Sequence, residues 1–217
     1  MIVDTMSLLE VAAELQSDLK NEVSVKMKRI LADRKYWRTV LKYGNSKKTI
    51  YFNPLEIRTK RLNRFVVLPF SHGKKDFKKF GIAFTVISIF YYNKYPYVAW
   101  FVNGLNEVAF FKKHFFDRYD ERFLQSETLF SEDLVFNFFK GNMHVFTGPQ
   151  YEDRSNNVMG VSNDGILLGE KLSPSITQYN TYISVDMLKG EQIEKHRLLS
   201  DNLDDYIKEL KEIGMAA

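Results

Sequence analysis

From Ser7 to about Lys20, apolar Leu8, Leu9, Val11, Ala12, Leu15 and Leu19 recur at helical spacing, and Ser7 with Glu10 three residues on has the form of a capping box. Met27, Ile30, Leu31, Tyr36, Trp37, Val40 and Leu41 continue the period until Gly44. A helical hairpin or a bent long helix is therefore expected at the start. After a turn at Gly44 to Lys47 the period shortens to that of strands. Thr49 to Phe52 and Arg64 to Phe70 are short β-type runs, each closed by a proline (Pro54, Pro69), with a basic loop of Arg58, Lys60, Arg61 and Arg64 between them. Ser71 to Lys79 reads as a second basic loop holding His72, Gly73, Lys74, Lys75, Lys78 and Lys79. Ala83 to Tyr92 and Tyr95 to Asn103 read as two antiparallel strands joined through Asn93 and Lys94, at the centre of a sheet.

Beyond a turn of Asn103, Gly104 and Asn106 the pattern gives a short strand over Val108 to Phe111 and a helix over Lys112 to Phe123. A further helix runs from Ser131, its N-cap, to about Lys140, stopped by Gly141. Met143 to Thr147 is a strand, and polar Asp153 to Asn157 a mobile connection. Val158 to Ser162 and Ile166 to Gly169 form a hairpin around Asn163-Asp164-Gly165, because Asp-Gly tolerates a tight turn. Thr177 to Val185 adds a strand beside it, and Asp186 opens a last helix to about Ile213 that Ser200 and Asp201 divide. The expected class is α+β: N-terminal helices, a mainly antiparallel sheet, and a C-terminal helix-plus-sheet unit with a helical tail. A composition shift near Asn103 separates 1–103 from 104–217, as two regions or as one continuous domain.

With 217 residues, 45% of them hydrophobic, the chain can bury a sizeable core. There is no cysteine, which removes disulfides, thiolate metal sites and a thiol nucleophile. No basic residue precedes an apolar run in Met1 to Ala13, and the longest apolar run, Ile82 to Tyr92, is too short to span a bilayer. A cytoplasmic protein without membrane association or cofactor is the expectation.

Charge changes this picture more than its total of +4 implies. Between Asn21 and Phe80, 17 lysines and arginines meet only Glu22, Asp33, Glu56 and Asp76, a local net of +13; the remaining 14 cations and 23 acids net −9. Such a half attracts a polyanion, RNA or an acidic protein partner, or it attracts the acidic half of the same chain. Lys26, Lys28, Arg29, Arg34, Lys35, Arg38 and Lys42 form its helical face, either a phosphate-tracking surface or a solvated one. Tyr91, Tyr92, Tyr95 and Tyr97 are either base-stacking rings or core.

The candidate chemistry is narrow. His72, His114, His144 and His196 are scattered without metal-ligand spacing, and Glu191, Glu194 and His196 do not share one helical face. Glycine-rich nucleotide fingerprints and a nucleophile elbow are absent, which disfavours hydride transfer, kinase and α/β-hydrolase chemistry. In Lys112 to Phe123, however, His114, Arg118 and Arg122 fall at i, i+4 and i+8, with Phe115, Tyr119 and Phe123 as an adjacent apolar stripe. Asp117, Asp120 and Glu121 lie on the same helix as potential partners of the arginines. Cleaving RNA by its own 2′-hydroxyl needs an acid and a base, which imidazole supplies, and fixed cations for the phosphorane, which guanidinium forks supply. Thr181, Tyr182 and Ser184 on the last strand can orient a phosphate if that strand faces the helix. The segment from about Val108 to Leu188, with His-x3-Arg-x3-Arg on a helix followed by a hairpin and a Thr/Ser strand, resembles the barnase, EndoU, colicin and RelE superfamily of metal-independent ribonucleases and toxins. The resemblance implies a toxin-like endoribonuclease or RNA-binding protein with His114 as acid or base, Arg118 and Arg122 as phosphate clamps, and Thr181 and Ser184 in support. The alternative is a non-catalytic interaction protein whose basic half binds nucleic acid or an acidic protein.

Overall fold

The structure, a computed structural model, describes residues 1–43, 46–71, 73–102, 106–125, 130–151 and 154–213. Gly44, Asn45, His72, Asn103, Gly104 and Asp153, which figure in the turns and loops expected above, lie outside these residues. The class is α+β, with N-terminal helices, a mostly antiparallel mixed sheet and a C-terminal helix. The chain divides into two compact units, Met1–Tyr92 together with the chain from Ile207 onward, and Asn93–Tyr206.

In the first unit, α1 (Leu8–Asp18) starts at the expected capping box: Ser7 Oγ accepts the amide of Glu10, and Glu10 Oε2 accepts the amide of Ser7 at 2.7 Å. A π turn over Leu19–Val23 leads into α2 (Ser24–Leu31). Its cause can be read in the apolar spacing. Leu15, Leu19, Val23 and Met27 repeat every four residues, a spacing that drifts around a regular α-helix, and one wide turn restores all four to the buried face. Ser24 Oγ donates to the Leu19 carbonyl at 2.8 Å within that turn. After Asp33, which accepts the Tyr36 amide at 2.9 Å, α3 (Arg34–Tyr43) follows as a separate helix.

The strands are β1 (Ile50–Tyr51), β2 (Leu55–Arg58), β3 (Arg64–Ser71) and β4 (Ala83–Tyr92). β3 is central, antiparallel to β4 and, in successive stretches, to β2 and β1. Two sequence expectations change here. The Arg58 end of the first basic loop is strand β2, and Pro69 lies inside β3 rather than closing it. It falls between the residues that pair β2 (64–67) and those that pair β1 (70–71), a gap in the ladder where a missing N–H is tolerated. The second basic loop contains a short helix, α4 (Lys74–Phe80).

The second unit has a sheet in the order β5 (Tyr95–Val102), β6 (Glu107–Lys112), β10 (Ile176–Ile183), β9 (Ile166–Ser173), β8 (Arg154–Val161), β7 (Phe146–Tyr151). All neighbours are antiparallel except β6 and β10. The polar stretch from Arg154 to Asn157 is thus part of β8 and not a mobile connection, because the β8–β9 ladder extends to Asn157 and the β7–β8 ladder to Arg154. Between β6 and β7 come α5 (Lys113–Tyr119), a second π turn (Asp120–Leu124) and α6 (Glu132–Gly141), with Ser131 capping the last. After β10 a short 3-10 turn, Val185–Met187, precedes α7 (Glu191–Ile213), which runs unbroken through Ser200 and Asp201. Among the described residues no helix is long and apolar enough to cross a membrane.

The core of this unit is aromatic. Phe111 of β6 meets Phe115, Phe116, Phe138, Phe139 and Tyr179 at ring-centroid separations of 4.9–5.9 Å, mostly edge to face. Phe138 also packs on Tyr119 at 5.0 Å and is fully buried. Truncating it leaves a ring-sized void among side chains that cannot close in. Phe138→Ala should cost about 3–5 kcal/mol of stability, read as a lowered urea midpoint; a loss under about 1 kcal/mol would contradict this packing.

Candidate functional site

The central helix begins as expected and then departs from a regular α-helix. His114 is exposed on α5, and Arg118 Nε approaches its Nε2 at 3.5 Å. The next residue of the series does not join them. In the π turn that follows, the Arg122 guanidinium donates to the Tyr182 carbonyl of β10. Arg118 is bound by Glu121, and Lys113 by both oxygens of Asp117 at 2.7 Å. The cations of this helix are therefore engaged one by one. Tyr182 turns its ring to Phe115 and Tyr119, so Thr181, its neighbour on β10, takes the other face of the strand. Ser184 follows the strand in extended backbone. Among the described residues no hydrogen bond joins Thr181 or Ser184 to His114, Arg118 or Arg122.

A polar cluster that sequence reasoning missed lies beside this helix. Asp164 Oδ2, in the β8–β9 hairpin turn, accepts from Tyr119 Oη and from Asn142 Nδ2, each at 2.7 Å, while its amide donates to Asn142 Oδ1 at 3.0 Å. Tyr182 Oη donates to the Asp164 carbonyl, and Asn163 Nδ2 to the Gly141 carbonyl at 2.9 Å. Gly165 is required where it stands, because a Cβ there would overlap the Tyr182 hydroxyl. The hairpin turn is thereby fastened to the ends of α5, α6 and β10. Its only sequence signal is the Asn-Asp-Gly turn, and the Asp164 side-chain partners are 22 to 45 residues away. Every member is satisfied within the fold, which marks a structural clasp. Burial, and then the Asp164 carboxylate, raises the ionisation of the Tyr119 and Tyr182 phenols far above the ordinary range.

The N-terminal unit handles its charge differently. Glu14, Asp18 and Glu22 succeed one another every fourth residue along the first helix and hold the β2–β3 turn. Asp18, 3% exposed, accepts Thr59 Oγ1 at 2.6 Å and Asn63 Nδ2 at 2.8 Å, with Arg61 at 3.7 Å; Glu14 accepts Asn63 Nδ2 at 2.7 Å and Glu22 the Lys60 amide at 3.0 Å. Glu56 takes Arg64 and Arg58, whose donors hold its carboxyl below the usual range. Lys26 reaches Glu22 and the Arg58 carbonyl. Part of the basic half is thus neutralised, and by acids of its own unit. Lys28, Arg29, Arg34, Lys35, Arg38 and Lys42 are not: all six are exposed, and among the described residues none meets a carboxylate.

Of the four tyrosines whose sequence context allows either core or stacking, Tyr92 donates its hydroxyl to the Met6 carbonyl and Tyr97 is half-buried, whereas Tyr91 and Tyr95 are exposed. No group of histidine, aspartate and glutamate among the described residues could hold a metal ion. No model of a protein family matches the chain, and neither a curated protein nor a solved structure does.

The buried phenols make stability sensitive to alkali. Burial pushes Tyr179 up to about 12 from an ordinary 10.0, and Tyr119 and Tyr182 are raised further. A raised phenol pKa means that the fold favours the neutral form; the stabilisation is complete below pH 10.0 and is lost as pH climbs towards and past 12. Urea midpoints should stay level to about pH 10 and then fall steeply, with the fall reduced in Tyr179→Phe; a level profile to pH 12 would contradict the assignment.

Proposed function

We propose that this chain is a cytoplasmic nucleic-acid-binding protein whose contact surface is the α2–α3 face of the N-terminal unit. One observation carries the reading: Lys28, Arg29, Arg34, Lys35, Arg38 and Lys42 are exposed together without carboxylate partners, while Arg58, Arg61 and Arg64 of the same unit are held by Glu56 and Asp18. Six unneutralised cations on two consecutive helices repel one another, and a phosphate backbone relieves that repulsion while releasing its own counterions. Binding should weaken steeply with salt. Replacing Arg34, Arg38 and Lys42 together with alanine should lower affinity for labelled RNA and reduce the slope of log K against log salt by about 2. A slope unchanged by the triple variant, or tighter binding to polyglutamate than to RNA, would overturn the reading in favour of an acidic protein partner.

A second reading, the metal-independent ribonuclease, is favoured by the exposed imidazole of His114 with the Arg118 guanidinium beside it. There His114 acts as acid or base and Arg118 and Arg122 stabilise the phosphorane, which requires Arg118 to leave Glu121 and Arg122 to leave the Tyr182 carbonyl as substrate enters. Thr181 and Ser184 would reach the phosphate only after a similar rearrangement. This reading predicts chelator-resistant RNA cleavage that falls by about 100-fold or more in a folded His114→Ala variant; absence of turnover in the wild-type protein removes it.

A further inference from the structure

The helix α3 carries more than charge. At about 100° per residue, Arg34, Arg38, Lys42 and Lys35 occupy one arc of roughly 100°, with Tyr36, Trp37 and Val40 turned inward on the opposite side. Val40 is fully buried, and Tyr36 and Trp37 are half-buried. Flanking the arc at its C-terminal end stand two large apolar side chains that the fold leaves in water, Leu41 at 61% and Tyr43 at 50% exposure. The ammonium of Lys42 lies over the Tyr43 ring, 5.0 Å from its centroid. This contact holds the ring beside the ridge and sets a positive charge next to its face.

We infer that the ridge takes single-stranded nucleic acid, with the backbone along Arg34, Arg38 and Lys42 and a base stacked on the ring of Tyr43. The inference rests on the nucleic-acid reading above and narrows its ligand. Two features argue for a single strand. From Arg34 to Lys42 the ridge is about 12 Å long, short against the roughly 34 Å of one duplex turn. An exposed ring among cations is a platform that unstacked bases can use and that paired bases cannot reach. Lys42 then has two duties, since the ammonium that touches the ring is also within the phosphate-binding arc.

Fluorescence anisotropy with one labelled strand, alone and annealed to its complement at the same salt, tests this directly. The wild-type protein should bind the single strand about tenfold more tightly than the duplex, and Tyr43→Ala should lose about tenfold on the single strand with a smaller loss on the duplex. Tyr43→Phe, which keeps the ring, should recover most of that affinity, and circular dichroism of each variant establishes that α3 is intact. Equal binding of both forms, or a Tyr43→Ala variant that keeps its single-strand affinity, overturns the inference while leaving nucleic-acid binding standing. Failure of both forms to bind in a salt-dependent way overturns the parent reading as well.

Discussion

Carboxylates that reach a cation, along one helix or across the fold, decide what that cation is free to do in this protein. Along the first helix Glu14, Asp18 and Glu22 grip the β2–β3 turn, and the near-complete burial of Asp18 means that its charge must be matched by Thr59, Asn63 and Arg61. On α5 the same principle operates over one helical turn: Asp117 holds Lys113 and Glu121 holds Arg118. Where no acid follows, as from Arg34 through Lys42, the positive field stays open to solvent. The functional reading therefore depends on which cations the fold leaves without acids, more than on how many cations there are.

The two halves of the chain use polar groups for different ends. In the aromatic unit, Asp164 with Tyr119, Asn142 and Tyr182 closes a hairpin turn against two helices and a strand, and each donor has an acceptor. Such a network makes the position of the turn specific at the cost of sensitivity to alkali, since the phenols must stay neutral. It also supplies the rigid frame on which α5 rests, with Arg122 adding a bond from the π turn to the Tyr182 carbonyl. An arginine used in this way contributes to the fold first, and can turn to a phosphate only by giving up that bond.

Much of the architecture is legible from residue order. The Ser7–Glu10 capping box, the Ser131 cap, the Asn163-Asp164-Gly165 hairpin and the α+β class follow from local patterns whose partners are close in sequence. The departures share a physical cause. Strict four-residue spacing of Leu15, Leu19, Val23 and Met27, and of Phe115, Tyr119 and Phe123, has the look of ordinary helix, although it drifts by about 40° per repeat on a regular one. A π turn absorbs that drift in each helix, and in the second of them the Arg122 guanidinium is taken by the Tyr182 carbonyl. The polar stretch before Val158 is strand because neighbouring ladders outweigh its weak propensity. Neither the Asp164 clasp nor the Asp18 grip can be inferred from residue order, because their partners are brought together only by the fold.

The most direct measurement is a two-dimensional amide NMR titration of the protein with a short single strand at low salt. The account predicts that shifts concentrate on α2 and α3, from Lys28 to Tyr43, and fade as salt is added. Shifts centred on His114 and Arg118, with α2 and α3 unmoved, would contradict it.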